Sequence, residues 1–224
     1  MIKQGDFVEI DYIAKIKDTE IVFDLTYEKK ARELNLFNPN MKYGPVVICV
    51  GEKNLISGLD DGLIGKDIGN FDLDIASKNA FGSKNPKLLK IIKTDMFLKE
   101  KINPFVGLQV NVDGMIGVIR SVSGGRTIVD FNHPLSGRDV AYHVEIKRIV
   151  TDDIEKTKSL ITFNLFLDES KYRISKAQDI IQVKTKVEIP KEIIEVFVAK
   201  YAKLVSNTRN ISFLVDKGDT TTQK

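Results

Sequence analysis

The stretch Val50–Gly69, VGEKNLISGLDDGLIGKDIG, constrains the fold of this chain more than any other. It reads as a strand end, a glycine turn, a short amphipathic helix and a second glycine exit. Leu55, Ile56, Leu59 and Leu63 recur at one-, three- and four-residue intervals. They therefore share one side of about two helical turns. Asp60 and Asp61 fall between them and are expected to face solvent. Gly51 and Gly65 bracket the element, where a positive φ is cheap only for glycine. A helix this short is marginal alone. It must rest its apolar side on a sheet, or line a pocket on one.

The flanking segments supply that sheet. Asp6–Ile16, DFVEIDYIAKI, alternates, with Val8, Ile10, Tyr12 and Ala14 on one face. A turn at Lys17–Thr19 leads to a second strand, Glu20–Asp24. Tyr27–Leu36 has helical composition and ends at Asn38–Pro39–Asn40. Val46–Val50 is an apolar strand feeding the glycine-bracketed helix, and Gly69–Ile75 alternates with Phe71, Leu73 and Ile75 inward.

Further on, Leu108–Val112, Met115–Val122 and Thr127–Phe131 read as strands separated by Asp113–Gly114 and Gly124–Gly125, both hairpin dipeptides. In the last third, Leu160–Leu167, LITFNLFL, reads as a strand, and Asp179–Ile189 as another in its later half. Pro190 opens a helix with Ile193, Ile194, Phe197, Val198, Tyr201 and Leu204 at helical spacing, and Ile211–Val215 gives a final strand. This small α+β segment has too little material to cover its apolar helix face, which predicts a homodimer paired through residues 151–216.

Composition excludes several function classes. The 34 basic and 31 acidic side chains leave a net charge of +3 spread along the chain, so no nucleic-acid partner is expected. The one cysteine, Cys49, lies in the apolar run VVICV and reads as a buried small hydrophobe. No disulfide framework is available within one chain, which fits a reducing compartment. The N-terminus has no signal-peptide core and no stretch is long enough to span a bilayer, so a cytoplasmic protein without a membrane partner is expected. His133 sits in an Asn–His–Pro turn and His143 alternates outward along a strand, so neither metal nor cofactor is expected.

The turn Ala80–Phe81–Gly82 completes a larger pattern. A helix of the form G-x-x-x-L-I-x-G-L-x-x-G-L-x-G, preceded by a strand and followed by A-[YF]-G, resembles the FKBP family of peptidyl-prolyl cis–trans isomerases. Val129–Glu145, VDFNHPLSGRDVAYHVE, resembles the return strand of the SlyD-like subgroup. The motifs stand in the family's order, and the resemblance covers about residues 3–150. The long archaeal FKBPs, which carry an extra C-terminal domain, are similar. The resemblance implies an α+β fold with an FKBP-type antiparallel sheet wrapped on the short helix, built from residues 1–85 and 138–151. A β-rich flap insert would occupy residues 86–137 and a small α+β domain residues 152–224. Such an insert is too long for a structureless loop. In SlyD-like proteins it is the insert-in-flap domain, a chaperone module that captures unfolded chains.

The implied chemistry is unusual for an enzyme. Rotation about an X–Pro bond faces a barrier of roughly 18–20 kcal/mol from amide resonance, and no proton or electron pair need pass to the protein. An apolar pocket that favours the twisted amide, with a few fixed hydrogen bonds, is enough. By motif position, Tyr12, Asp24, Phe81, Tyr142 and the backbone N–H of Ile56 resemble the family's catalytic set. Phe23, Val46, Ile48, Leu55 and Leu59 resemble the lining, with Val46 at the edge and Leu59 on the floor where many compact members have tryptophan. Phe81 stands where the family usually has tyrosine, so one hydrogen bond, worth about 0.5–1.5 kcal/mol net, is lost.

In the insert, Leu88, Ile91, Ile92, Met96, Phe97 and Met115 can form either a small core or an exposed client surface. The resemblance favours the client surface for the insert as a whole. Expected partners are unfolded polypeptides and proline-containing peptides. The competing reading is a holdase chaperone with a vestigial pocket. The tail Asp216–Lys224 has no histidine or cysteine, so the metal-binding tail of bacterial SlyD proteins has no counterpart here.

Overall fold

The computed structural model describes residues 1–205 and 210–216, so the tail beyond Asp216 lies outside the described residues. In chain order the elements are β1 (Phe7–Ile16), β2 (Val22–Leu25), α1 (Glu28–Glu33), β3 (Val46–Cys49), α2 (Ser57–Leu63), β4 (Gly69–Ile75), β5 (Leu89–Lys93), α3 (Thr94–Lys99), β6 (Gln109–Val112) and β7 (Met115–Ser123). These are followed by β8 (Arg126–Asp130), β9 (Val140–Ile149), α4 (Asp153–Leu165), β10 (Tyr172–Ala177), β11 (Ile180–Thr185), α5 (Lys191–Leu204) and β12 (Asn210–Val215). They divide into two compact units, Met1–Asp74 with Ala141–Lys224, and Ile75–Val140.

The first unit is organised on β1. Its alternation works as the sequence predicts: Val8, Ile10, Tyr12 and Ala14 are all buried on one face. Antiparallel pairing sets Val8 opposite Ile48 and Ala14 opposite Asp24, and the sheet order is β2-β1-β9-β4 with β3 also on β1. From α2, Leu59 and Leu63 are fully buried, and Gly62 lies so close to Leu73 of β4 that a Cβ would come within 3.0 Å. Asp60 departs from expectation. It is buried, because its carboxylate accepts the N–H of Gly51 and of Lys53. Hydrogen bonding replaces the water that the charge gives up. Asp61 is exposed.

The other face of the same sheet carries a second core. Phe7, Cys49 and Val150 join Leu160, Ile161, Tyr172, Phe197 and Tyr201 in one cluster, and Val47 packs on its edge. Ser159 on α4 donates its hydroxyl to the carbonyl of Val47 at 2.7 Å. Packing is thus continuous across residue 151, where a domain boundary is expected from sequence. The strand expected at Leu160–Leu167 is instead the second half of α4. A short apolar run suits a buried helix as well as a buried strand. What decides it is upstream: the Asp152 side chain caps the helix by accepting the N–H of Glu155. Beyond α4, β10 pairs antiparallel with β11, and α5 carries the chain over so that β12 lies parallel to β11. β10 has no forerunner in the sequence reading.

The second unit is a sheet of order β5-β8-β7-β6. Phe97 from α3 packs with Val110, Ile119 and Val129 on one sheet face, with Ile92, Ile102, Leu108 and Phe131 around them. Gly117 on β7 is required here, since a Cβ would stand 2.7 Å from both Phe131 and Val129. Among the described residues, no helix is long and apolar enough to cross a membrane.

Candidate active site

Tyr12 lies at the middle of β1, Phe23 and Asp24 on β2 and Tyr142 on β9, three neighbouring strands of one sheet. The Tyr12 hydroxyl donates to Asp24 Oδ2 at 2.9 Å. The Tyr12 and Tyr142 rings are 5.6 Å apart and tilted, and Phe23 meets Tyr142 edge-on at 6.2 Å, the arrangement that ring quadrupoles favour. Burial, and after it the Asp24 charge, pushes the Tyr12 phenol far above the ordinary tyrosine range. The Tyr142 phenol is raised for the same two reasons in the same order. Both hydroxyls therefore stay protonated wherever the chain is folded near neutrality. Tyr12 serves as a fixed donor that holds the carboxylate in place.

Ile48 is fully buried two positions along from the edge residue Val46, on the strand that continues into the Gly51 turn. Val46 also lines a groove of about 340 Å³ between the start of β3 and α4, rimmed by the ion pairs Lys42–Glu169 and Arg148–Glu155. Leu55 and Ile56 are half-buried at the entrance to α2, while Leu59 is fully buried within it. Ile56 is the N-cap, with φ −62° and ψ 144°, and its carbonyl accepts the N–H groups of Leu59 and Asp60. An N-cap N–H lies ahead of the helix's own hydrogen-bond ladder.

The structure thus brings Tyr12, Phe23, Asp24 and Tyr142 into one contact set. Phe81 belongs to the second unit. There its ring stacks on His133 at 4.8 Å, and its carbonyl accepts the Ser136 hydroxyl at 3.1 Å. Asp60 is a residue that sequence reasoning missed. Its carboxylate holds the turn in front of Leu55 and Ile56, and the signal, an acid between two buried leucines of a helix, was legible but read as solvent-facing.

Of the insert residues, Phe97 is core, and Ile92 is half-buried and packs against it. Ile91, Met96 and Met115 are exposed, and Leu88 is half-buried. Leu98, Phe105, Val106 and Ile116 are exposed apolar residues that the sequence reading did not single out. For Phe105, Val106 and Ile116 the one available signal is position, beside the Pro104 turn or the Asp113–Gly114 hairpin tip, and Leu98 lies within α3.

Two aromatic hydroxyls, an edge-on phenylalanine and a tethered carboxylate thus lie together on an apolar sheet face. A family model described as FKBP-type peptidyl-prolyl cis-trans isomerase matches residues 1–98, and one described as FKBP26, IF domain, matches residues 90–135. The chain is 27% identical over 150 residues to the short-type peptidyl-prolyl cis-trans isomerase of Methanocaldococcus jannaschii, covering 66% of this chain and 94% of that one. It is 32% identical over 111 residues to the FKBP-type 16 kDa peptidyl-prolyl cis-trans isomerase of Escherichia coli, covering 47% and 74%. With the FKBP-type isomerase SlyD of Haemophilus influenzae the identity is 24% over 135 residues, covering 58% and 70%. The chain belongs to the FKBP-type peptidyl-prolyl cis–trans isomerases, with SlyD-type and archaeal short-type proteins among its homologues.

Proposed function

We propose that this isomerase acts on unfolded polypeptides, which its second unit holds while the Tyr12–Asp24 site turns their prolyl bonds. The observation that carries the reading is an open apolar sheet face. Strand alternation puts Ile92, Val110, Ile119 and Val129 on the face covered by Phe97, and leaves Leu89, Ile91, Ile116, Val118 and Ile128 on the opposite one. Ile91 is 67% and Ile116 61% exposed. A small sheet whose second face leaves Leu89, Ile91 and Ile116 exposed beside half-buried Val118 and Ile128 has the character of a binding surface. Exposed Met96 and Met115 suit partners of varied shape. Holding a chain there raises the effective concentration of its prolines at the site.

The site residues take these roles in the proposal. Tyr12 fixes Asp24, Asp24 and the Ile56 N–H engage the flanking peptide, and Phe23, Tyr142, Ile48, Leu55 and Leu59 keep the amide out of water. Twisting reduces the charge separation of the planar amide, so a dry site favours the transition state over the ground state.

The test separates the two functions. Ile91→Ser with Ile116→Ser should leave isomerisation of a short prolyl peptide unchanged, and slow catalysis of a proline-limited protein refolding reaction by about tenfold, the effect of losing an effective concentration in the millimolar range. Equal loss on both substrates would sink the recruitment reading. Suppressed aggregation without acceleration of either substrate would leave the holdase. Pairing of two copies through residues 151–216 belongs to the same proposal, favoured by exposed Ile193 and Val196 on α5. Light scattering at twice the 25.2 kDa chain mass would support it, and a monomer at micromolar concentration would end it. One buried free cysteine, Cys49, with no disulfide available within the chain, fits the cytoplasm as the compartment of action.

A further inference from the structure

We infer that Lys200 of α5 is a positioning residue for the isomerase site, acting through Glu52 on the turn that presents Leu55 and Ile56. The inference rests on the role proposed above for the Ile56 N–H.

The turn is conformationally demanding. Gly51 has φ +93° and Lys53, which is not glycine, has φ +53°. A non-glycine residue persists in the left-handed region only where its surroundings over-determine it. Part of the determination is local. Asp60 accepts the N–H groups of Gly51 and Lys53, and Asn54 Oδ1 accepts the N–H of Cys49 at 2.8 Å. These bonds fix the two ends of the turn. Glu52, at its crown, is gripped from elsewhere: Lys200 Nζ lies 2.6 Å from Glu52 Oε2.

That grip is built, as the surroundings of the ammonium show. Lys200 Nζ also donates to Asn164 Oδ1 at 2.7 Å, and the Asn164 amide is itself oriented by donating to the Leu160 carbonyl at 2.9 Å. The two ionic side chains are 31% and 27% exposed, unlike a freely solvated surface pair of negligible worth. On α5, Phe197 and Tyr201 flank Lys200 in sequence and are buried in the core shared with Phe7 and Cys49. The helix that carries the cation therefore cannot drift relative to the sheet that carries the site. Lys200 lies outside the residues matched by either family model. Lys200 is thus a third anchor on the turn, beside Asp60 and Asn54.

The Ile56 N–H would grip the planar substrate as well as the twisted one. Loosening its support should raise KM more than it lowers kcat. Lys200→Met and Glu52→Gln should each lower kcat/KM for a short prolyl peptide by roughly three- to tenfold, less than the roughly ten- to 150-fold of a directly lost charge-assisted hydrogen bond because the brace acts at one remove. The combined variant should be no worse than either alone, and Lys200→Arg should keep most of the activity. Asp24→Ala, run in parallel as the control on the site itself, should lower kcat/KM by about tenfold or more. No loss in the single variants, losses that multiply in the combined one, or a loss that vanishes when rates are expressed per folded molecule would each overturn the inference. If Asp24→Ala slows the reaction and Lys200→Met does not, only the brace is wrong. If neither changes the rate, the site assignment falls and the brace with it.

Discussion

In the proposed site, Tyr12 and Asp24 divide the work at the scale of single residues. The phenol is buried and its hydroxyl bonds Asp24 Oδ2, so removing the hydroxyl frees a carboxylate without removing it. Tyr12→Phe should therefore lower kcat/KM for a prolyl peptide by about three- to tenfold, and Asp24→Ala by about tenfold or more, given roughly 1.5–3 kcal/mol for a hydrogen bond to a charged group. A protease-coupled peptide assay checks both, and unchanged rates in both variants would remove the pair from the mechanism. The pH behaviour has a definite sign. The folded-state Tyr12 pKa is raised above its ordinary 10.0, so its contribution to stability is fully present below that value and is lost as pH rises beyond it. Phenol titration should leave activity flat between about pH 6 and 9, and ultraviolet titration should find Tyr12 among the last tyrosines to ionise.

At the scale of elements, the turn and helix that present Leu55 and Ile56 depend on one buried acid. Asp60→Ala would leave the Gly51 and Lys53 N–H groups without their acceptor, at about 1–3 kcal/mol for each group. Urea unfolding should show a loss of about 3 kcal/mol, and Asp60→Asn, which keeps one acceptor oxygen, should lose less. In the second unit, Gly117→Ala drives a methyl into Phe131 and Val129, and should destabilise that unit by about 1–3 kcal/mol. Hydrogen exchange localised to β6–β8 reads this directly. These elements also mark the reach of sequence reasoning. Period-two alternation put Val8, Ile10, Tyr12 and Ala14 on one face, because a half-buried strand writes its burial into its spacing. The apolar run at Leu160–Leu167 carries no such period, and its helix is fixed by the Asp152 cap and by packing on β3. Asp60 misled because periodicity places a side chain on a face and is silent on hydrogen bonds from a distant turn.

For the whole molecule, the revealing feature is that the isomerase sheet is apolar on both faces. Val8, Ile10 and Ile48 face one way, while Phe7 and Cys49 face the cluster formed with α4, α5, β10 and β11. The archaeal short-type relative is matched over 94% of its own length by only 66% of this chain, so much of what remains has no counterpart there. That remainder cannot be a dispensable tail. Without residues 152–224, Phe7, Cys49, Val47 and Val150 would meet water. At roughly 1.5–3 kcal/mol for each large apolar side chain exposed, the loss rivals the 5–15 kcal/mol that holds a typical domain together. A chain ending at residue 151 should unfold at least 10 °C lower or aggregate on expression, whereas excising the surface-bearing insert, Lys87–Ser136, should leave the first unit's melting transition nearly intact. Calorimetry on the two truncations decides between them. Equal stability of the 1–151 fragment and the full chain would mean that the second face is sealed by something other than α4 and α5. The Lys200 brace would then have no fixed base from which to act.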